Sequence, residues 1–151
     1  MGRIAHVAIW PIRAFWRATS VRNHHHGSPF TMTSPAAIDG GEIRHEGLRM
    51  RIWGIAAPGI DSTGGLASQA TLEDLMLFRN MHVIPMGVDE TGRMLVQVWC
   101  GRGDIGRAMV RQGYARATAG RYRGAERRAR KERAGLWASS THIASIEAIP
   151  A

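Results

Sequence analysis

The residues best able to do chemistry are basic, and most of them lie in the C-terminal third of the chain. Residues 100–133 contain eleven arginine or lysine residues against three acidic ones, which gives this segment a net charge of +8. Such a basic stripe predicts a nucleic acid or another polyanion as partner. A solvated helix face of an arginine-rich chain is the alternative, because the chain contains a single lysine. The densest group of candidate phosphate contacts is Arg127, Arg128, Arg130 and Lys131.

The cysteine content and the hydropathy of the chain argue against several kinds of site. Cys100 is the single cysteine, so neither an intrachain disulfide nor a cysteine-based zinc site is expected. No apolar run reaches about 18 residues, so no ordinary transmembrane helix is expected. One unpaired thiol is compatible with a reducing compartment, which favours a cytoplasmic location. Export or membrane association through the N-terminal residues stays open.

The N-terminal residues have the composition of a basic arm. Residues 1–34 carry four arginines and no acid, and Gly27–Thr31 is rich in turn-forming residues. Residues 4–17 are weakly amphipathic and basic, so contact with an anionic membrane surface is an alternative role, although Pro11 interrupts a continuous helix. The predicted division is a disordered arm over 1–34, one domain over 35–138 and a tail over 139–151.

Hydrophobic periodicity predicts strands first and helices later. Alternating residues on both sides of Glu46 and Gly47 predict a β-hairpin made of Glu42–His45 and Leu48–Trp53. Further strands are predicted at 36–38, 82–86 and 94–99, and helices at 65–79, 105–112 and 122–133. This order predicts an α+β fold built on a five-stranded OB-type β-barrel, with one helix after strand 3 and two C-terminal helices.

Five segments resemble, in the same order, motifs of the thermonuclease (micrococcal nuclease-like) family. They are Ile38–Ile43 (like V-I-D-G-D-T-I), Arg51–Gly59 (like R-L-x-G-I-D-A-P-E), Asp89–Leu95 (like D-x-Y-G-R-x-L), Asp104–Ala115 (like D-I-G…L-V-R-x-G-x-A) and Ala129–Ala138 (like A-R…G-L-W). Each motif alone is weak, but five in the family order are specific. The resemblance implies the nuclease-like OB-fold and phosphodiester hydrolysis with a divalent cation such as Ca²⁺.

The sequence departs from the family where the chemistry would take place. The resemblance places one acidic metal ligand at Gly41, another at Ala56 and the general base at Gly59, and none of these has a side-chain oxygen. Two arginines that contact phosphate in the family are retained as Arg51 and Arg93. Without the resemblance, both would be assigned to surface salt bridges. Because Ca²⁺ needs several oxygen ligands, no metal site and no cofactor are predicted.

Three functions are compatible with this pattern. Loss of a general base costs on the order of 10²–10⁴ in rate, and loss of the metal costs further stabilisation of charge. The first hypothesis is therefore a non-catalytic module that binds polyanions through Arg51, Arg93 and the basic helix. The second is an active phosphodiesterase that uses Ca²⁺ at a rearranged acid site, with Glu42 or Asp61 as substitute. Strand alternation argues against Glu42, since it turns this side chain away from Gly41. The third is a purely structural domain.

The aromatic residues of the domain are assigned mainly to packing. Trp53 and Trp99 lie in apolar strand runs, which predicts core positions. Trp137 is expected to anchor the last helix to the barrel. Tyr122 is the aromatic residue nearest to the arginine run, and stacking on a nucleobase is its alternative role.

Overall fold

The computed structural model describes residues 27–77 and 79–150 and shows a curled mixed β-sheet packed against helices. The strands are β1 (Phe30–Thr33), β2 (Ala36–Ala37), β3 (Glu42–His45), β4 (Leu48–Ile52), β5 (Ile55–Ala56), β6 (Asn80–Val88), β7 (Met94–Cys100), β8 (Gly103–Asp104) and β9 (Arg116–Ala117). The helices are α1 (Gly65–Met76), α2 (Ile105–Arg111), α3 (Arg123–Lys131) and α4 (Ser140–Glu147), with 3₁₀ turns at Gly120–Tyr122 and Gly135–Ala138.

The main sheet has the strand order β1-β6-β7-β4-β3-β2, and β8 pairs with β7. Its pairs are antiparallel except for β4 with β7, which is parallel. A register shift between Pro85 and Gly87 interrupts the β6–β7 ladder. Such a bulge increases the local twist of a strand and so favours a curled sheet. The strands β5 and β9 form a separate two-stranded sheet. The predicted OB-type α+β fold is confirmed.

The predicted hairpin is confirmed as β3 and β4. Its turn residues Glu46 and Gly47 both have positive φ, at 50° and 81°, the geometry that two-residue hairpins favour. Ile43 lies directly opposite Met50, and both side chains are fully buried. Because side chains alternate along a strand, the neighbouring pair Glu42 and Arg51 lies on the other face of the hairpin.

The main hydrophobic core lies between the sheet and helices α1 and α2. Val96, Val98 and Met109 are among its fully buried residues. Trp53 packs against this core, as predicted. The prediction for Trp99 was wrong: this half-buried side chain lies opposite exposed His82 in the β6–β7 ladder and belongs to neither hydrophobic cluster.

A second, smaller cluster joins the C-terminal elements. Ile146 of α4 is fully buried against Ala129, Leu136 and Trp137. Trp137 therefore packs among helices rather than in the main core. The predicted domain ended at residue 138, whereas the structure continues with a helix that contributes to this cluster. The sequence signal of α4 is weak because only one of its side chains is fully buried.

The sheet also begins earlier than the predicted domain. Phe30–Thr33 pairs with β6, and Met32 is buried, although these residues fall within the predicted arm. Residues 1–26, with the amphipathic stretch 4–17 and the three adjacent histidines at 24–26, lie outside the described residues. Among the helices that are described, none combines the length and the apolar character needed to cross a membrane.

Candidate functional site

The turn between β2 and β3 places Asp39, Gly40 and Gly41 against helix α1. The Asp39 carboxylate accepts a hydrogen bond of 2.7 Å from the backbone N–H of Gly41, so it stabilises its own turn. A β-carbon at Gly40 would overlap with the Ser68 side chain. Ser68 is fully buried, and its hydroxyl donates to the carbonyl of Tyr114 at 2.6 Å. The glycine at position 40 is therefore required for the close packing of this turn on α1.

Glu42 is a buried acid that joins two arginines. Its side chain is only 5% exposed, and its two oxygens accept from Arg49 Nε at 2.6 Å and Arg93 Nη1 at 3.1 Å. The hydrogen bond that Arg49 donates to the Glu42 carboxylate raises the pKa of the Arg49 guanidinium above its ordinary value. Arg51 lies directly opposite Glu42 in the β3–β4 ladder, and directly opposed side chains share one face of a sheet. Glu42 and Arg51 therefore lie on the same face of the β3–β4 hairpin.

A tight turn fixes Arg93 from the other side. Asp89 accepts from the Arg93 Nε at 2.9 Å, from the Arg93 backbone N–H at 2.9 Å and from the Thr91 hydroxyl at 2.7 Å. Partial burial raises the pKa of Asp89, but the hydrogen bonds from Thr91 and Arg93 outweigh it and lower the pKa to about 2. Arg93 is thus paired with two carboxylates, Glu42 and Asp89. Arg51, in contrast, makes no ion pair with any described residue.

The three positions that would carry acids in the family have different surroundings. A β-carbon at Gly41 would make ordinary contacts, the nearest at 3.5 Å from Ala57, so space alone does not exclude a side chain there. Ala56 is buried and lies opposite Arg116 in the small β5–β9 sheet. Gly59 is exposed, as is nearby Asp61.

These residues do not fit a hard divalent cation. Ca²⁺ is held by six to eight oxygen ligands, largely carboxylates. Within the described part of the chain, no group of three or more histidine, cysteine, aspartate or glutamate residues could hold a metal ion. Asp39 is engaged by the Gly41 N–H, and Glu42 and Asp89 are engaged by arginines. No catalytic step through a metal follows from this donor set.

The basic residues of α3 divide into two groups. Arg128 pairs with Glu132 at 2.9 Å, and Arg130 pairs with Glu126 at 2.8 Å and lies 4.0 Å from the Trp137 ring centroid. The remaining basic side chains follow a spacing of four residues, which puts them on one helix face. They are exposed, they make no ion pair within residues 27–77 and 79–150, and they comprise Arg123, Arg127 and Lys131.

Tyr122 does not reach solvent. It is fully buried, and its hydroxyl donates to the Asp104 carboxylate at 2.8 Å. Gln97 donates to the same carboxylate at 2.9 Å. Burial and the hydrogen bond to Asp104 raise the pKa of Tyr122 to about 12. The alternative role of Tyr122 in base stacking is therefore wrong for this conformation.

The curled sheet has the OB-type fold that the family resemblance implies, and the β3–β4 hairpin and the turn before β7 bring Arg49 and Arg93 together at Glu42. A sequence model of the family described as staphylococcal nuclease homologue matches residues 49–139, which is more than half of the chain. The chain belongs to this family. No individual curated protein matches it.

Proposed function

We propose that this domain is a nuclease homologue without the catalytic acids of its family, and that it binds nucleic acid or a similar polyanion. One observation carries the proposal: Arg123, Arg127 and Lys131 form an exposed row on α3 without an ion pair among the described residues. A cationic side chain without a carboxylate partner contributes more binding free energy on contact with a phosphate backbone than one that is already neutralised.

The loss of catalysis is supported by the side chains at the three family positions. Gly41, Ala56 and Gly59 supply neither metal ligands nor a base, and the carboxylates of Asp39, Glu42 and Asp89 are already hydrogen-bonded. A base must lie within hydrogen-bond reach of the attacking water, and a carboxylate neutralised by arginine is a poor one. Membership of a nuclease family supports nucleic acid as the polyanion.

Ion pairing distinguishes the residues of the basic helix α3 that are expected to contribute most to binding from those that are expected to contribute less. All four candidates, Arg127, Arg128, Arg130 and Lys131, are exposed. Arg128 and Arg130 already have carboxylate partners, so a phosphate would have to compete with Glu132 and Glu126. Arg127 and Lys131 need no such exchange. We therefore assign the larger share of binding to Arg127 and Lys131.

Two charge-matched variants test this assignment. Arg127→Gln/Lys131→Gln and Arg128→Gln/Arg130→Gln each remove two positive charges. Oligonucleotide affinity, measured by fluorescence anisotropy at several salt concentrations, should fall about tenfold in the first variant. Its salt slope should decrease by about 2, since each phosphate contact contributes about 0.9. The second variant should lose less, and an equal or larger loss would contradict the assignment. Failure of the unmodified protein to bind at low salt would reject the proposed function.

A cleavage assay separates this proposal from the enzyme alternative. With Ca²⁺ and plasmid or single-stranded DNA, the purified protein should cleave no faster than buffer. Ca²⁺-dependent cleavage that disappears in the Arg51→Ala variant would instead establish an active phosphodiesterase with a rearranged site. Absence of both cleavage and binding would leave the domain a structural one.

A further inference from the structure

The buried carboxylate of Glu42 is bound by two guanidinium groups, and a third arginine lies next to it on the same face of the sheet. Arg49 and Arg93 each donate to one of its oxygens, and Arg51 lies directly opposite it on the neighbouring strand. The Glu42 side chain is 5% exposed, whereas those of Arg49 and Arg93 are 55% and 32% exposed. The acid therefore lies at the base of the cluster, and the arginines extend past it towards solvent.

The Glu42 carboxylate binds its arginines in the way that an anionic ligand would. A carboxylate and a phosphate both present paired oxygens to the planar fork of a guanidinium group, and arginine binds either in the same way. Glu42 uses both of its oxygens on two arginines that come from sequence positions 49 and 93. Two anions that bind the same guanidinium groups lie close together, and they repel strongly when they are partly shielded from water. An external phosphate therefore cannot bind these arginines while Glu42 occupies them.

We propose that Glu42 is a built-in anion that occupies a latent phosphate site formed by Arg49, Arg51 and Arg93. The ligand class is inorganic phosphate or a terminal phosphate monoester, which is compact and carries up to two negative charges. The unmodified protein keeps this site closed to such ligands. The inference does not depend on binding through α3, because it concerns different residues and a different ligand.

The test compares Glu42→Gln with Glu46→Gln, which removes the same charge from the same hairpin. Glu46 is a suitable control because its side chain is 63% exposed and makes no ion pair with any of the three arginines. Inorganic phosphate is titrated by calorimetry at constant ionic strength, with chloride as reference. The Glu42→Gln protein should bind phosphate at least about tenfold more tightly than the unmodified protein, since its arginines lose their internal partner. Adding Arg51→Gln should reverse this gain.

Equal phosphate affinity in the Glu42→Gln and Glu46→Gln proteins would overturn the proposal. A second measurement uses the unmodified protein and so remains decisive if Glu42→Gln does not fold. It should bind phosphate no more tightly than the Arg51→Gln variant does. Saturable binding by the unmodified protein that Arg51→Gln abolishes would show that the site is already open. Neither result alters the oligonucleotide assay on α3, so the two proposals fail independently.

Discussion

Among single residues, the adjacent glycines 40 and 41 show how differently two identical residues are constrained. Gly40 faces the side chain of Ser68, which is fixed by its hydrogen bond to the Tyr114 carbonyl. A β-carbon added at Gly40 would also lie 3.0 Å from the β-carbon of Ala57. Gly41 has room for a β-carbon, with its nearest neighbour at 3.5 Å. The first is required by packing, whereas the second departs from the acidic residue that the family resemblance expects there.

Replacing each glycine by alanine tests this difference. Gly40→Ala should lower the free energy of unfolding by about 1–3 kcal/mol, because the new methyl group forces α1 away from the turn. Gly41→Ala should change it by less than about 1 kcal/mol. Urea unfolding followed by circular dichroism measures both. Similar losses in the two variants would mean that Ser68 moves aside without cost.

The ion-pair partners of Arg93 determine the role of this side chain. The family resemblance implies a phosphate contact for Arg93, and in the structure Arg93 forms ion pairs with Glu42 and Asp89. The same residue type in the same motif can therefore hold a ligand or hold the fold. The partner decides between these roles, and Glu42 lies 51 residues away from Arg93 in the chain.

Among the elements, α4 is the one whose contribution the sequence least indicates. Its C-terminal end is fixed by Arg116, which donates to the carbonyls of Glu147 and Ile149 at 2.9 and 2.6 Å. Cations stabilise helix C-termini because they satisfy carbonyls that lack helical partners. Arg130 adds an ion pair of 2.7 Å to the Glu147 side chain. These bonds tie α4 to β9 and to α3.

Removing the one fully buried side chain of α4 tests whether it belongs to the folded domain. Ile146→Ala should cost about 2–4 kcal/mol of unfolding free energy, as is usual for an isoleucine in a packed core. Ile143→Ala, on the same helix but half-buried, should cost clearly less. Both values come from urea titrations of the full chain. A negligible effect of Ile146→Ala would show that the second cluster adds little to stability.

For the whole molecule, the network of Tyr122, Asp104 and Gln97 joins the sheet to the C-terminal helices. Asp104 also accepts from the backbone N–H of Arg107 at 3.2 Å and so caps α2. One carboxylate thus connects β7, α2 and the turn before α3. Its tyrosine partner must stay protonated to donate.

This network predicts how stability changes at alkaline pH. Tyr122 has a folded pKa of about 12, above its ordinary value of 10.0. Neutral Tyr122 therefore stabilises the fold fully below pH 10, and this contribution is lost as the pH rises from 10 to 12. Tyr122→Phe should lower stability at neutral pH by about 1 kcal/mol and should flatten the decline between these pH values. Thermal unfolding across this range measures both effects, with Tyr114→Phe as control. A decline of unchanged steepness in Tyr122→Phe would assign the alkaline limit to other groups.

The sequence by itself determined the features that depend on local rules. Alternation and a two-residue turn specified the β3–β4 hairpin, and the order of five motifs specified the family and its OB-type fold. The side chains at Gly41, Ala56 and Gly59 are likewise read directly from the chain, so the lack of acids there needed no structure. These inferences succeed because each depends on residues that are near one another in sequence.

Only the tertiary structure decided which charges neutralise one another and which side chains join a hydrophobic cluster. In the structure, Glu42 accepts hydrogen bonds from both Arg49 and Arg93. On α3, Arg127 and Arg128 are both exposed, but of these two only Arg128 forms an ion pair with a described residue. The structure also placed Trp99 outside the core and Ile146 inside one. The physical reason is that an ion pair or a packing contact depends on where two distant segments meet. Composition and periodicity describe one segment at a time, so they do not indicate which distant segments come into contact.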